Sequence, residues 1–183
     1  MSRQRAPLLE TDRLSLVWLD RAALAAVVEG DPGAAERQTG AVISVEWIEA
    51  SRRLCALRLE QMQRDPAQGP WLLRAVVHRT AGAAIGHVGF HGALGVNGLR
   101  ADDAVELGYS ILPAYRGQGF ATEAAAGLMD WAVEECGVRR FLASVGPANT
   151  GSIRVLEKLS FVEVARVWDD EDGEEIVYER IAP

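Results

Sequence analysis

A glycine-rich turn stands between a segment that alternates like a strand, residues 104–111, and one with helical spacing of apolar residues from Thr122 onward. The first N–H groups of a helix have no intrahelical partner and lie at the positive end of its dipole. A turn at this point is therefore a candidate site for a phosphate group. We call it the phosphate turn; its residues are Arg116, Gly117, Gln118, Gly119, Phe120, Ala121 and Thr122.

Two common phosphate-binding motifs fit this turn poorly. A P-loop closes with Gly-Lys-Ser/Thr, whereas the single lysine of the chain is Lys158. A dinucleotide-binding turn has a third small residue where Thr122 stands, and it needs a carboxylate at the end of the next strand, which residues 141–145 lack. A nicotinamide-binding oxidoreductase therefore stays only as an alternative.

The residues around the turn resemble the Gcn5-related N-acetyltransferase (GNAT) family. The pattern of Arg or Gln, two residues, Gly, one residue, and Gly or Ala is met by Arg116, Gly119 and Ala121. The order and spacing of the neighbouring motifs resemble the RimJ/RimL-like ribosomal-protein branch: ETDRL at 10–14, ELGY at 106–109, GFATEA at 119–124 and NTGSIRVLEKLSF at 149–161. The resemblance spans residues 8–181, which we take as a single acetyltransferase domain.

This resemblance implies that the chain binds acetyl-CoA, with the diphosphate on the phosphate turn. It also implies that the pantetheine arm lies between two splayed parallel strands. The arm would bond to backbone amides of Ser110, Ile111 and Leu112 as an added strand would. The side-chain amide of Asn149 would hold the arm as well, although Asn149 is also typical of a turn or helix cap.

The resemblance also suggests the catalytic groups. Glu106 would accept the proton of the amine, directly or through water, although a glutamate between Val105 and Leu107 could simply face solvent. Many relatives use a tyrosine to protonate the departing thiolate, but Leu156 stands at that position here. Ser152 is the substitute, and it is equally typical of a helix N-cap. A second departure is Ser160, where the family usually has glycine before Phe161.

Direct acyl transfer requires a neutral amine. A lysine-like amine of pKa about 10.4 loses roughly 4.6 kcal/mol at pH 7 to protonation, whereas an α-amine near pKa 8 loses only about 1.4 kcal/mol. A modest base therefore suffices for an N-terminal α-amine.

The composition limits the classes of binding partner. A net charge of −7 would repel the phosphate backbone of nucleic acid. It is compatible with a cationic acceptor, or simply with a role in solubility. No apolar run approaches the ~20 residues of a membrane span, and the N-terminus lacks a secretory signal, so we expect a cytoplasmic protein. We expect no metal: His87 and His91 lack a third ligand at suitable spacing, and the acidic cluster 169–175 does not fit a calcium loop.

The periodicities predict the order β-α-α-β-β-β-α-β-α-β-β. Predicted hairpins supply antiparallel pairs and the strand–helix–strand of residues 104–145 supplies a parallel one. We therefore predict an α/β GNAT fold, a single domain with a central mixed, splayed sheet flanked by helices.

The predicted function is acetyl transfer from acetyl-CoA to a primary amine, specifically a protein or peptide N-terminal α-amine. Alternatives are a small-molecule amine, such as an aminoglycoside or polyamine, and a non-catalytic acyl-CoA-binding module. The sequence leaves the oligomeric state open, with a homodimer as one option.

Overall fold

The computed structural model describes residues 6–169 and 173–183. Residue contacts divide the chain into two compact units. The first contains the residues up to Gly89 and Tyr109–Leu128, and the second contains Phe90–Gly108 and Met129–Pro183. The first five residues, on which the signal-peptide prediction partly rests, lie outside the described residues, and so do residues 170–172 of the acidic cluster.

Eight strands and five α-helices make up the described chain. The strands are β1 Leu9–Glu10, β2 Leu14–Trp18, β3 Leu73–His78, β4 Ala83–Phe90, β5 Ala104–Ile111, β6 Arg140–Val145, β7 Val162–Asp169 and β8 Gly173–Ile181. The helices are α1 Arg21–Glu29, α2 Pro32–Thr39, α3 Val45–Arg64, α4 Phe120–Cys136 and α5 Thr150–Lys158. Two 3₁₀ segments, Pro66–Trp71 and Pro113–Tyr115, precede β3 and the phosphate turn. No helix in this part of the chain combines the length and the apolar character needed to cross a bilayer.

Most predicted elements are confirmed, but helix α2 was not predicted. The predicted order has only two helices before the second strand, and this third one is polar, with Ala35 as its one fully buried residue. The Asp31 side chain accepts a hydrogen bond from the Ala34 N–H at 2.9 Å, and Pro32 occupies the first helical position. This Asp-Pro start is a recognisable helix signal. The short strand β1 was also missed.

The sheet is mixed, as predicted, with the strand order β1-β2-β3-β4-β5-β6-β8-β7. In the first unit β1, β2, β3 and β4 form antiparallel pairs in succession. In the second unit β5 and β6 are parallel, and β8 pairs antiparallel with both β6 and β7. The parallel register joins Ala104–Glu106 to Arg140–Leu142, which covers only the first three residues of the eight-residue strand β5.

Each unit has its own apolar cluster. In the first unit α1, α2 and α3 bury residues such as Leu24, Ala35 and Trp47 with residues of β3. In the second unit Ala104, Leu142 and Val177 bring β5, β6 and β8 together. Strand β5 therefore starts in a packed core, which fixes the position of Glu106 two residues later.

Candidate active site

The phosphate turn has the backbone conformation that its glycines permit. Gly117 and Gly119 have φ of 75° and 84°, in the left-handed region that strongly favours glycine. The 3₁₀ segment Pro113–Tyr115 precedes the turn, and α4 begins at Phe120. Two left-handed glycines thus lie between the end of β5 and the start of the helix.

The N–H groups of this turn are available to a ligand. The Arg116 N–H donates to the Pro113 carbonyl, and the Glu123 N–H donates to the Gly119 carbonyl. Between them, the consecutive N–H groups of residues 117–122 have no hydrogen-bond acceptor within the described part of the chain. Such a row of donors at a helix start suits an anion with several oxygens.

Arg116 adds a positive charge beside these donors. Its Nε donates to the Ile111 carbonyl at 2.8 Å, while the residue as a whole is exposed. One edge of the guanidinium is therefore anchored to the end of β5.

One of the three backbone amides predicted to bind pantetheine is already bonded within the protein. The Leu112 N–H donates to the Ile85 carbonyl at 2.8 Å.

The ETDRL segment braces the phosphate turn, a role that the sequence analysis did not assign. Arg13 Nε lies 2.7 Å from Glu123 Oε2, and its NH1 donates to the Gln118 carbonyl at 3.0 Å. The Thr11 hydroxyl donates to the other oxygen of Glu123 at 2.6 Å. The Arg13 guanidinium also lies 4.4 Å from the centre of the Phe120 ring. Two of the resembling motifs, 10–14 and 119–124, thus contact each other.

Glu106, in the second unit, is a buried carboxylate and does not face solvent. Only 4% of the residue is exposed. The Ser144 hydroxyl donates to Oε1 at 2.7 Å, and the Gly98 N–H donates to Oε2 at 2.7 Å. His91 Nδ1 lies 3.5 Å from the same Oε2. Both oxygens of the carboxylate therefore already have donors from the protein.

These donors decide the protonation of Glu106. Burial alone raises the pKa of the carboxyl group, but the hydrogen bond and charge of His91 and the hydrogen bonds from Ser144 and Gly98 outweigh it and lower the pKa to about 2. Glu106 stays ionised at neutral pH. Glu106 is therefore a weak direct acceptor for the proton of an amine, because its pKa lies well below that of an α-amine.

His91 lies on the same face of β5 as Glu106. A β-carbon added to Gly108 would lie 3.3 Å from His91 Nε2, so this glycine leaves room for the imidazole. From the sequence, His91 was considered only as a metal ligand together with His87. Its contacts with Glu106 and Gly108 show that it lies beside β5 instead. The position of a histidine directly after a strand was the sequence signal that could have indicated this.

His87 has a different, buried environment in the first unit. Its Nδ1 lies 3.2 Å from the Ser51 hydroxyl. Burial, followed by the charge of Arg58, lowers the pKa of His87 to about 4. Within residues 6–169 and 173–183 no group of three or more His, Cys, Asp or Glu side chains is arranged to hold a metal ion.

Asn149 and Ser152 lie together at the start of α5. The Asn149 side-chain oxygen accepts from the Ser152 N–H at 3.1 Å, so Asn149 is the N-cap and the helix begins at Thr150. The interpretation of Ser152 as the cap is therefore wrong, and Ser152 lies in the first turn. The Asn149 side chain is exposed, and its amide group remains able to donate. Leu156 is buried.

Comparison with known proteins agrees with this geometry. Residues 13–162 match the family model described as "Acetyltransferase (GNAT) domain". The N-acetyltransferase YjdG of Bacillus subtilis (strain 168) is 29% identical over 159 residues, which cover 85% of this chain and 89% of that protein.

Two solved structures share the fold. The ribosomal-protein-S5-alanine acetyltransferase of Vibrio fischeri has a TM-score of 0.64 at 18% identity, covering 96% of both chains. RimL, a ribosomal L7/L12 α-N-protein acetyltransferase in complex with coenzyme A, has a TM-score of 0.62 at 17% identity, covering 97% of both chains.

Proposed function

The chain belongs to the GNAT acetyltransferase family, and on this premise we propose that it acetylates the α-amine of a protein or peptide N-terminus. An N-acetyltransferase of this family uses acetyl-CoA and an amine acceptor. We further infer that residues 8–181 act as one catalytic domain of RimJ/RimL-like type. The observation that carries the proposal is the row of N–H donors at residues 117–122 that the described chain leaves to a ligand.

These donors and the Arg116 guanidinium would hold the diphosphate of acetyl-CoA. Charge-assisted hydrogen bonds from backbone N–H groups and from arginine are the strong bonds that phosphate oxygens accept. The backbone of Ser110 and Ile111 and the side-chain amide of Asn149 would bind the pantetheine arm. Leu112 would not contribute its amide, because its N–H is already bonded to the Ile85 carbonyl.

Deprotonation of the acceptor would depend on Glu106. Its two oxygens are held by Ser144 and Gly98, and the low pKa makes it an anion rather than a strong base. Such a carboxylate can favour proton loss through an intermediate group, in keeping with the prediction that it acts directly or through water. A group of such low basicity suits an acceptor that is easily deprotonated. This supports an α-amine of pKa about 8 over a lysine-like amine of pKa about 10.4.

Ser152 would protonate the coenzyme A thiolate. It lies in the first turn of α5 and is half-buried, and the usual tyrosine position is occupied by buried Leu156. A hydroxyl group at the positive end of a helix dipole is well suited to stabilise a developing thiolate. The names of the RimL and ribosomal-protein acetyltransferase structures give further support for a protein α-amine as acceptor.

Release of free coenzyme A thiol from acetyl-CoA, measured with a panel of acceptors, tests the proposal. The panel contains peptides with a free α-amine, the same peptides with a blocked N-terminus and one internal lysine, an aminoglycoside and a polyamine. The neutral fraction at pH 7 is about 250-fold higher for an α-amine than for lysine, so we expect kcat/KM to be at least about tenfold higher for the free α-amine peptides.

Equal or faster release with the blocked peptide, the aminoglycoside or the polyamine would reject the α-amine acceptor and leave the family assignment in place. Tight binding of acetyl-CoA without release for any amine would instead indicate a non-catalytic module.

A further inference from the structure

We propose that Asn97 is a positioning residue for Glu106. It fixes the loop of residues 91–103, between β4 and β5, in the shape that brings the Gly98 N–H onto the Glu106 carboxylate. This inference deepens the proposed function and rests on the role that Glu106 has in it. All the residues involved lie in the second unit.

The carboxylate of Glu106 is held from two sides. The Ser144 hydroxyl on β6 donates to Oε1 at 2.7 Å, and the Gly98 N–H donates to Oε2 at 2.7 Å. Strand β6 is paired with both β5 and β8, so the sheet itself fixes the position of Ser144. Gly98 lies in the loop, outside the strands and helices. The direction of its N–H therefore depends on what holds the loop.

The side-chain amide of Asn97 holds the loop to itself and to β5. Its Nδ2 donates to the Ala101 carbonyl at 2.8 Å and to the Ala104 carbonyl at 3.1 Å. Its Oδ1 accepts from the Ala101 N–H at 2.9 Å. Ala104 is the first residue of β5 and is fully buried. Three hydrogen bonds thus link the residue directly before Gly98 to the strand that carries Glu106.

The loop adopts a constrained conformation where Asn97 acts. Arg100 has a φ of 54°, in the left-handed region that a residue with a β-carbon rarely adopts. Such a conformation persists only where the surrounding structure imposes it. The bonds between Asn97 and Ala101 enclose this residue, and the Gly95 N–H donates to the same Ala104 carbonyl at 3.0 Å. The turn is therefore held in its strained form by bonds to β5.

This arrangement directs the oxygens of Glu106. A group that handles a proton must lie within hydrogen-bond reach of that proton or of the water that carries it. A displacement of about 1 Å from the working geometry can lower a rate by about 10²-fold. Loss of the Asn97 amide should release the Gly98 N–H from the carboxylate. Glu106 would then remain on β5, but only Ser144 would still hold the side chain from its side of the site.

A double-mutant cycle tests this role. We expect Asn97→Ala to lower kcat for an α-amine peptide by about 10–100-fold, with KM for the peptide little changed and the dissociation constant for acetyl-CoA unchanged. In the Glu106→Gln background the same substitution should have no further effect, because the group that Asn97 positions is already gone. A residue that only stabilises the fold would lower the activity of both backgrounds equally.

The NMR signal of the Gly98 amide gives a readout that does not depend on turnover. An N–H that donates to a carboxylate at 2.7 Å should resonate far downfield in the wild-type protein. The signal should move upfield in Asn97→Ala and in Glu106→Gln. Val96→Ala is the matched control, because it truncates an exposed side chain one position away in the same loop. We expect it to keep both the signal and the wild-type kcat.

Thermal unfolding checks that each variant folds. Asn97→Asp is the second variant, because it keeps the oxygen that accepts from Ala101 and removes the two donated hydrogen bonds. It should show the same pattern as Asn97→Ala. The wild-type Gly98 signal and its response to Glu106→Gln test the inferred contact without any change at Asn97.

An Asn97→Ala enzyme within about threefold of the wild-type kcat would overturn the proposal, and so would an equal loss in both backgrounds. A wild-type Gly98 signal in the ordinary amide range, or one that Asn97→Ala does not move, would do the same. If Glu106→Gln keeps the wild-type kcat, this inference fails while the acetylation of α-amines stands. A wild-type protein that acetylates no amine of the panel would instead remove the proposed function, and this inference with it.

Discussion

Ser160 shows why one family position usually holds glycine. Its φ is 62°, in the left-handed region where a β-carbon clashes with the backbone. Its N–H donates to the Glu157 carbonyl and the Phe161 N–H donates to the Leu156 carbonyl, which is how a helix commonly ends on a left-handed residue. The resemblance identified the unusual serine, but only the backbone geometry gives the physical reason.

Ser160→Gly should therefore stabilise the protein. The relief of left-handed strain, about 1–2 kcal/mol, exceeds the extra chain entropy of glycine, so we expect a gain of about 0.5–1 kcal/mol in the free energy of unfolding. Urea denaturation measures it. Ser160→Ala is the matched control, since it removes the hydroxyl and keeps the β-carbon, and it should show no such gain. A glycine variant no more stable than the control would contradict this explanation.

At the scale of elements, the turn between β1 and β2 braces the start of α4. Thr11 and Arg13 both bond to Glu123 in the first turn of α4, and Arg13 reaches back to the Gln118 carbonyl. The β-carbon that Gly127 lacks would lie 2.7 Å from the Thr11 methyl group, so the glycine allows the segment to approach the helix closely. Residues 110 positions apart in the chain thereby fix the conformation of the phosphate turn.

Removing this brace should weaken acetyl-CoA binding. Arg13→Gln loses the ion pair with Glu123 and the hydrogen bond to Gln118, and bonds to charged groups contribute about 1.5–3 kcal/mol. We expect the dissociation constant for acetyl-CoA, measured by calorimetry, to rise about tenfold. Arg64→Gln is the control, because Arg64 forms an exposed ion pair with Glu60 on α3, away from the phosphate turn in the chain. An Arg13→Gln protein that binds like this control would show that the brace does not act on the turn.

At the scale of the whole molecule, the elements that were predicted correctly from the sequence are those that local residue patterns encode. Strand β5 came from the local alternation of residues 104–111, and the parallel pair came from a strand–helix–strand order. Helix α2 was missed because its composition is polar, although Asp31 and Pro32 marked its start. The contact of His91 with Glu106 could not be predicted, because it depends on how the irregular residues after β4 lie against β5, which no local pattern encodes.

The most direct test of the account is an NMR titration of ¹⁵N-labelled protein with acetyl-CoA, up to about 1 mM, the upper end of common substrate constants. Acetyl-pantetheine, which carries the thioester but no phosphate, is the matched ligand. We predict that acetyl-CoA shifts the amide signals of residues 117–122 strongly downfield and that acetyl-pantetheine leaves them nearly unchanged. Saturation by acetyl-CoA without movement of these signals, or no binding at all, would contradict the assignment of the phosphate turn.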